Sequence, residues 1–227
     1  MPKSKKNKLF YLPHNIIILY EDKDIIIVDK PPALLTMGSA KEKNRTVYSI
    51  LSDYIKRHGS RNKIYIIHRL DRETSGILVF GKSEKVKHKM QDSWDDTEKK
   101  YIALVHGHPE NKEDTLTSYL IESGINKVYS TFDAEKGKLS KTHYRVIKNS
   151  GKFSLLDIKL ITGRKHQIRV QLADAGYPVA GDAKYGKPGD KSKRLALHAS
   201  SITFNHPVTG KPCLFETEIP GFAARLL

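Results

Sequence analysis

The sequence predicts an α+β domain with a central mixed, mostly antiparallel sheet and flanking helices. Three observations support this class: apolar runs of strand length recur along the chain, a few segments show helical spacing, and turn signals separate neighbouring runs as in hairpins. A chain of 227 residues suits one large domain. We place that domain at residues 15–227, after a basic tail at residues 1–14 that we expect to be flexible.

Strands and helices are interspersed in the first half of the chain. The predicted strands cover residues 16–20, 25–28, 64–67, 77–80 and 99–107. Helical spacing of apolar residues predicts one helix from Thr46 to His58, capped by Thr46 or Asn44, and a second from Ser83 to Trp94, capped by Ser83. The first helix is amphipathic and should cover the sheet.

The second half of the chain is richer in turns. Residues 109–142 are polar and should form hairpins. Strands are predicted at 142–147 and 153–160, and a further strand lies within 194–204. Between them, a helix is predicted to open at Thr162 and to end near Gly176.

The composition points to a polyanionic partner. Lys and Arg outnumber Asp and Glu by 40 to 25, which gives a net charge of +15. Nucleic acid is the simplest partner; an anionic membrane surface competes with it, but no basic amphipathic anchor stands out. Cys213 is the single cysteine, so an intrachain disulfide is excluded. With no signal-peptide or transmembrane pattern, we expect a cytoplasmic protein with no membrane partner, and a monomer.

Several common site fingerprints are absent from the sequence. It contains no P-loop, no GxGxxG, no HExxH and no GxSxG. His106 and His108 would share one face of a strand, but no third metal ligand accompanies them, and we expect ordinary surface histidines. Ser75 and His68 lack the context of a nucleophile elbow. We therefore expect neither a metal nor a cofactor.

The loop His68–Gly76 lies between two predicted strands and carries Asp71. Arg69 and Arg72 flank this carboxylate and should keep it ionised. A polar loop held between core strands is a common place for chemistry. Local sequence leaves two interpretations open, a reactive carboxylate and an ion pair that ties a turn.

The segment Thr162–Arg169 is dense in cationic donors. Arg164, Lys165, His166 and Arg169 follow the predicted start of a helix, where free N–H groups attract anions. A solvated basic face is the simpler interpretation. On a basic protein, RNA phosphate or a catalytic carboxylate is favoured as the partner of these side chains.

Six segments of the chain resemble, in the same order, the motifs of the RluA-type pseudouridine synthases. They are Ile26–Pro32, His68–Gly76, Lys99–Tyr101, Thr162–Arg169, Pro178–Asp182 and Arg194–Ala199. The second is similar to the HRLDxxTSG signature, and the fourth to TGRxHQ(I/L)R. The resemblance runs from about residue 16 to the C-terminus and leaves no room before it for an S4-type domain, as in the short members. Gln171, Tyr177 and the Pro32–Leu34 turn depart from the pattern and leave the RNA target open.

The resemblance implies a pseudouridine-synthase fold whose cleft isomerises uridine in ribosomal or transfer RNA, without cofactor or metal. Asp71 would be the catalytic carboxylate and Arg169 its ion-pair partner. Tyr101 would stack on the target uracil and take part in removing the C5 proton. Leu195 or Leu197 would line the pocket. The other residues expected to hold RNA are His68, Arg69, Arg72, Thr74, Lys82, Arg164, Lys165 and His166.

Two other functions are compatible with a chain of this kind. The first is a catalytically inactive RNA-binding module or chaperone with the same fold, which intact Asp71, Tyr101 and Arg169 argue against. The second is an N-glycosidase, which would release free uracil from RNA where an isomerase does not.

Overall fold

The computed structural model describes residues 10–38, 42, 44–58, 63–123, 127–224 and 226. These residues form one sheet whose strands are β1 (Phe10–Leu12), β2 (Ile16–Glu21), β3 (Ile25–Lys30), β4 (Tyr65–Ile66), β5 (Ser75–Gly81), β6 (Glu98–His106), β7 (Glu113–Glu122), β8 (Val128–Thr131), β9 (Lys138–Ser150), β10 (Phe153–Leu160), β11 (Leu197–Asn205) and β12 (Pro212–Glu216). The helices are α1 (Val47–Arg57), α2 (Glu84–Asp92), α3 (Gln167–Asp174) and α4 (Gly221–Ala224).

The sheet is mixed and mostly antiparallel, which confirms the predicted class. Its order is β1-β2-β3-β5-β11-β6-β10-β9-β7-β8, with β4 paired to β5 and β12 paired to β11. Among the strand pairs of the described residues, β5 and β11 form the parallel one. They approach closely at Gly76, which has a φ of +113° and faces Ala199 of β11. A side chain at this position would collide with the backbone of Ala199, so only glycine fits.

The apolar residues of β3 pack against two helices on opposite faces of the sheet. Ile26 and Val28 point towards α1, and Ile25 and Ile27 point towards α2. Because side chains alternate along a strand, a strand covered on both faces reads as continuous apolar sequence. This explains why the predicted strand carries no polar alternation.

The two predicted helix caps are confirmed. The Thr46 hydroxyl accepts the Ser49 N–H at 3.0 Å, and the Ser49 hydroxyl accepts the Thr46 N–H at 3.2 Å, which makes a reciprocal capping box at the start of α1. The Ser83 hydroxyl accepts the Val86 N–H at 3.2 Å at the start of α2. Local sequence was sufficient for both helices.

Three predicted boundaries are wrong. The tail predicted at residues 1–14 is too long, because Phe10–Leu12 pairs with β2 and Leu12 is buried; residues 1–9 lie outside the described part. The predicted helix start at Thr162 is five residues early, since α3 begins at Gln167. The strand predicted at 142–147 begins earlier, at Lys138, where it pairs with Leu120 of β7.

Candidate active site

Asp71 lies in the loop between β4 and β5, and the loop is fixed from two sides. The Thr36 hydroxyl donates to the Leu70 carbonyl at 3.0 Å and accepts the Leu70 N–H at 3.2 Å. On the other side, the buried Lys30 ammonium donates to the carbonyl of Arg72 at 3.0 Å and to that of Leu34 at 2.9 Å. Burial lowers the pKa of Lys30 to about 7. These bonds hold the backbone on both sides of Asp71.

Arg169, on α3, connects two carboxylates. Its Nη1 donates to Asp71 Oδ2 at 2.9 Å, while its Nε and Nη2 donate to the two oxygens of Asp182 at 2.7 and 2.8 Å. The Asp182 side chain is fully buried, whereas that of Asp71 is 25% exposed. Burial would raise the pKa of Asp182, but the Arg169 guanidinium outweighs it and holds that pKa below its ordinary value. Arg169 is therefore oriented by Asp182 and presents one N–H to Asp71.

His166 approaches the same carboxylate from the residue before α3. Its Nε2 lies 3.7 Å from Asp71 Oδ2, and its Nδ1 lies 2.8 Å from the Tyr185 hydroxyl. Burial lowers the pKa of His166, and the positive charge of Arg169 acts in the same direction against the attraction of Asp71. His166 has a φ of 54°, which costs a non-glycine residue energy and marks a constrained position.

Tyr101 reaches the site from β6 and lines the cleft beside Asp71. Burial, and then the negative charge of Asp71, raise the pKa of its phenol above the ordinary value. The phenol is therefore protonated in the free protein. Of the two leucines expected in the pocket, Leu197 lines the cleft and Leu195 is buried in the core between β6 and α3.

The site opens into a cleft of about 1040 Å³ between the Asp71 loop and the β7–β8 hairpin. Basic side chains stand on its walls: Arg69 and Arg72 on the loop side, and Lys136, Lys138, Arg164 and Lys165 on the other. Thr74 also lines the cleft. Lys82 does not, and its ammonium binds Glu21 and the Asp22 carbonyl, so its expected RNA contact is wrong.

His68 lines the cleft but contributes no positive charge to it. Its Nε2 accepts the Val79 N–H at 3.1 Å, and its ring stacks on Trp94 with centroids 4.6 Å apart. Burial, with the neighbouring Lys99 charge, lowers the pKa of His68 to about 3. The neutral ring ties the Asp71 loop to β5, and its expected contact with the flipped nucleotide stays a prediction.

The histidines considered for metal binding have other partners. His106 is buried and lies 2.8 Å from Asp190, so it is not the surface histidine that we expected, whereas His108 is exposed as expected and contacts Ser154 at 3.1 Å. Within the described residues, one group, Asp22, Asp24 and His206, has ligand atoms within 4.8 Å of one another. Two N–H groups donate to His206 Nδ1, which leaves the hydrogen on Nε2 facing Asp22. That nitrogen has no lone pair for a metal.

Sequence reasoning missed three residues of the site, Asp182, Tyr185 and Lys30. Asp182 and Lys30 stand in segments that carry the resemblance, but neither had an assigned role. Their burial in the structure reveals them, because Asp and Lys are almost never fully buried unless paired. Tyr185 lay in a glycine-rich loop with no signal beyond its aromatic side chain.

Comparisons with known proteins identify the family of the chain. Residues 24–174 match the family model described as RNA pseudouridylate synthase. An uncharacterized RNA pseudouridine synthase of Mycoplasma genitalium is 34% identical over 94% of this chain and 71% of its own length. The ribosomal large subunit pseudouridine synthase C of Rickettsia typhi is 32% identical over 92% of this chain and 70% of its own length.

The fold is also that of solved synthases. Human RNA pseudouridylate synthase domain containing 4 superposes with a TM-score of 0.76 at 22% identity, over 91% of this chain and 90% of the human one. No helix in the described part of this chain is long and apolar enough to cross a bilayer. The chain belongs to the RNA pseudouridylate synthase family and converts uridine in RNA to pseudouridine.

Proposed function

We propose that Asp71 is the catalytic carboxylate of this isomerase, with Arg169 as its partner and Tyr101 stacked on the target uracil. One observation carries the proposal: a quarter-exposed carboxylate, bound by a guanidinium at 2.9 Å, lies in the cleft beside a tyrosine. The target nucleotide has to leave its stack to reach this carboxylate. Arg69, Arg72, Arg164 and Lys165 would hold the RNA phosphates around it.

The reaction breaks the bond between N1 of uracil and C1′ of ribose and joins C5 to C1′. The C5 hydrogen leaves to solvent and N1 gains a proton, so the product is an isomer. Asp71 can attack C1′ as in retaining glycosidases, or it can remove the C2′ hydrogen to give a glycal. Deuterium at C2′ distinguishes the routes, because only the second breaks this bond and slows with the heavier isotope.

Tyr101 has a second assigned part in this scheme, the removal of the C5 proton. Its raised pKa means that the phenol carries its proton when the target base arrives. The uracil face is therefore met by a neutral ring, which suits stacking. The C5 proton is lost after the new C5–C1′ bond has formed, when that proton is acidic. The Tyr101 oxygen accepts it as the phenol passes its own hydrogen to solvent, so the side chain is a neutral phenol before and after the step.

The nature of the RNA is also part of the proposal. Relatives named ribosomal large subunit pseudouridine synthases support ribosomal RNA as the substrate. We further propose that the protein is a monomer and that it is cytoplasmic; the single cysteine supports a reducing compartment. Pseudouridine mapping in ribosomal and transfer RNA, from cells with and without the gene, tests the substrate; size-exclusion chromatography with light scattering tests the monomer.

Asp71→Asn tests the catalytic assignment. Release of tritium from RNA labelled at uracil C5 should fall by more than about a thousandfold, because a neutral amide replaces the reacting carboxylate. RNA affinity should change by less than about threefold. Asp53→Asn, an exposed carboxylate on α1, is the matched control and should keep full activity. An Asp71→Asn protein that retains most of its activity would refute the assignment.

A further inference from the structure

Tyr185 contacts two parts of the proposed site, the β7–β8 wall of the cleft and the Asp71–Arg169 ion pair. It lies in the loop after Asp182, between the β7–β8 hairpin and the start of α3. Its hydroxyl accepts the Val128 N–H at 3.0 Å and lies 2.8 Å from His166 Nδ1. Its ring lies beneath the Arg169 guanidinium, 5.2 Å from ring centroid to carbon. One side chain thus contacts the cleft wall and the catalytic ion pair.

The hydroxyl fixes the hairpin to the residue before α3. Val128 is the first residue of β8, which is an edge strand of the described sheet and pairs only with β7 there. Beneath the hairpin, Leu120, Val128 and Val170 form a small buried cluster on which Tyr185 packs. This cluster and the Tyr185 hydroxyl hold β8 against the rest of the site, in addition to the bonds that β7 makes with Gln171 and Lys165.

The same hydroxyl also contacts His166. The Tyr185 oxygen accepts the Val128 N–H and shares a hydrogen bond with His166 Nδ1, while His166 Nε2 faces Asp71 at 3.7 Å. The ring of Tyr185 meanwhile supports Arg169, whose face it covers while Asp182 holds its edge.

We propose that Tyr185 is a positioning residue with two separable roles. Its ring holds Arg169 in place for Asp71, and its hydroxyl holds the β7–β8 wall of the RNA cleft. The inference rests on the proposed role of the Asp71–Arg169 pair. It predicts that loss of the hydroxyl weakens RNA binding, whereas loss of the ring slows the chemical step.

Two substitutions separate the roles in single-turnover tritium release, with the enzyme in excess over a labelled RNA fragment. Tyr185→Phe should raise the enzyme concentration for half-maximal rate by about threefold to tenfold, the range for one or two lost hydrogen bonds, and lower the maximal rate by less than about threefold. Tyr185→Leu should lower the maximal rate by about tenfold or more, because Arg169 loses its aromatic support. Tyr48→Phe, on the exposed face of α1, is the control and should change neither value.

The outcomes distinguish this inference from the proposed function. Equal effects of the Phe and Leu variants on both values would overturn the inference, and so would an unchanged half-maximal concentration for Tyr185→Phe. Thermal unfolding shows whether Tyr185→Leu is folded; if it is not, the Phe variant alone decides. An active wild-type protein whose Asp71→Asn variant is also active would refute the proposed function, whatever the Tyr185 variants do.

Discussion

The arrangement of Arg169 between two carboxylates predicts that Asp71→Asn and Asp182→Asn differ sharply in stability. Removing one partner of a buried ion pair typically costs about 3–5 kcal/mol. In Asp182→Asn, Arg169 still has Asp71 at 2.9 Å, so we expect the lower end, about 3 kcal/mol. In Asp71→Asn, Arg169 keeps both bonds to the buried Asp182, and the lost partner is partly exposed, so we expect less than about 1 kcal/mol.

Urea unfolding at pH 7, followed by circular dichroism, measures both costs as shifts of the midpoint at constant slope. Asp182→Asn should also lose activity. Arg169 is then no longer held by Asp182 and turns towards Asp71, which changes the charge and the geometry around the Asp71 carboxylate. The decisive quantity is the order of the two free energies of unfolding. If Asp71→Asn is destabilised as much as Asp182→Asn, Asp182 does not hold Arg169 independently, and the reasoning fails.

Three further predictions concern the fold, the pH dependence and the RNA surface. Gly76→Ala would place a methyl carbon 2.2 Å from the Ala199 carbonyl oxygen and should lower the free energy of unfolding by about 3 kcal/mol or more. Gly221→Ala is the control and should have little effect, because its methyl carbon would meet no atom within 4 Å. The folded-state pKa of His68, about 3, lies below its ordinary 6.5, so the neutral ring stabilises the fold fully above pH 6.5 and this stabilisation is lost as the pH falls. The free energy of unfolding should therefore decrease between pH 7 and pH 5, and His68→Gln should make that decrease smaller by about 2 kcal/mol. RNA affinity should fall steeply with salt, and Lys138→Gln should reduce the slope of log affinity against log salt by about 0.7–1; an unchanged slope would exclude Lys138 from the phosphate contacts.

The parts of the fold that local sequence determines were predicted well. Thr46 and Ser83 cap their helices through residues three positions away, and the apolar runs of β3 and β5 need no distant information to be recognised as strands. These features depend on neighbours within one turn of helix or along one strand. Periodicity and capping rules contain such information.

The start of α3 could not be predicted in this way, because distant residues shape the turn before it. The Gln167 amide accepts from Thr162 and the Arg164 N–H, and donates to the Lys141 carbonyl and Thr142 of β9. These bonds close Thr162–His166 into a compact turn that helical spacing alone does not reveal. The cationic residues lie in the predicted segment, but Thr162–His166 forms a turn where the sequence predicts a helix.

The charge balance of the site depends on burial, which the sequence does not show directly. The expected partnership of Arg169 and Asp71 is present as an ion pair in the structure, whereas Asp182 becomes part of the site only because its carboxylate is fully buried against Arg169. Lys30 is similar, since its role follows from three backbone carbonyls that gather around one buried ammonium. The catalytic roles themselves remain proposals that the substitutions above test.

The parallel pair of β5 and β11 has a consequence for the timing of activity during protein synthesis. Asp71 precedes β5, its partner Arg169 follows 98 positions later, and β11, which completes the centre of the sheet, spans Leu197–Asn205. Chains emerge from the ribosome N-terminal end first, and contacts this distant form only when both partners are outside. A nascent chain therefore has no assembled cleft until most of its length has been released.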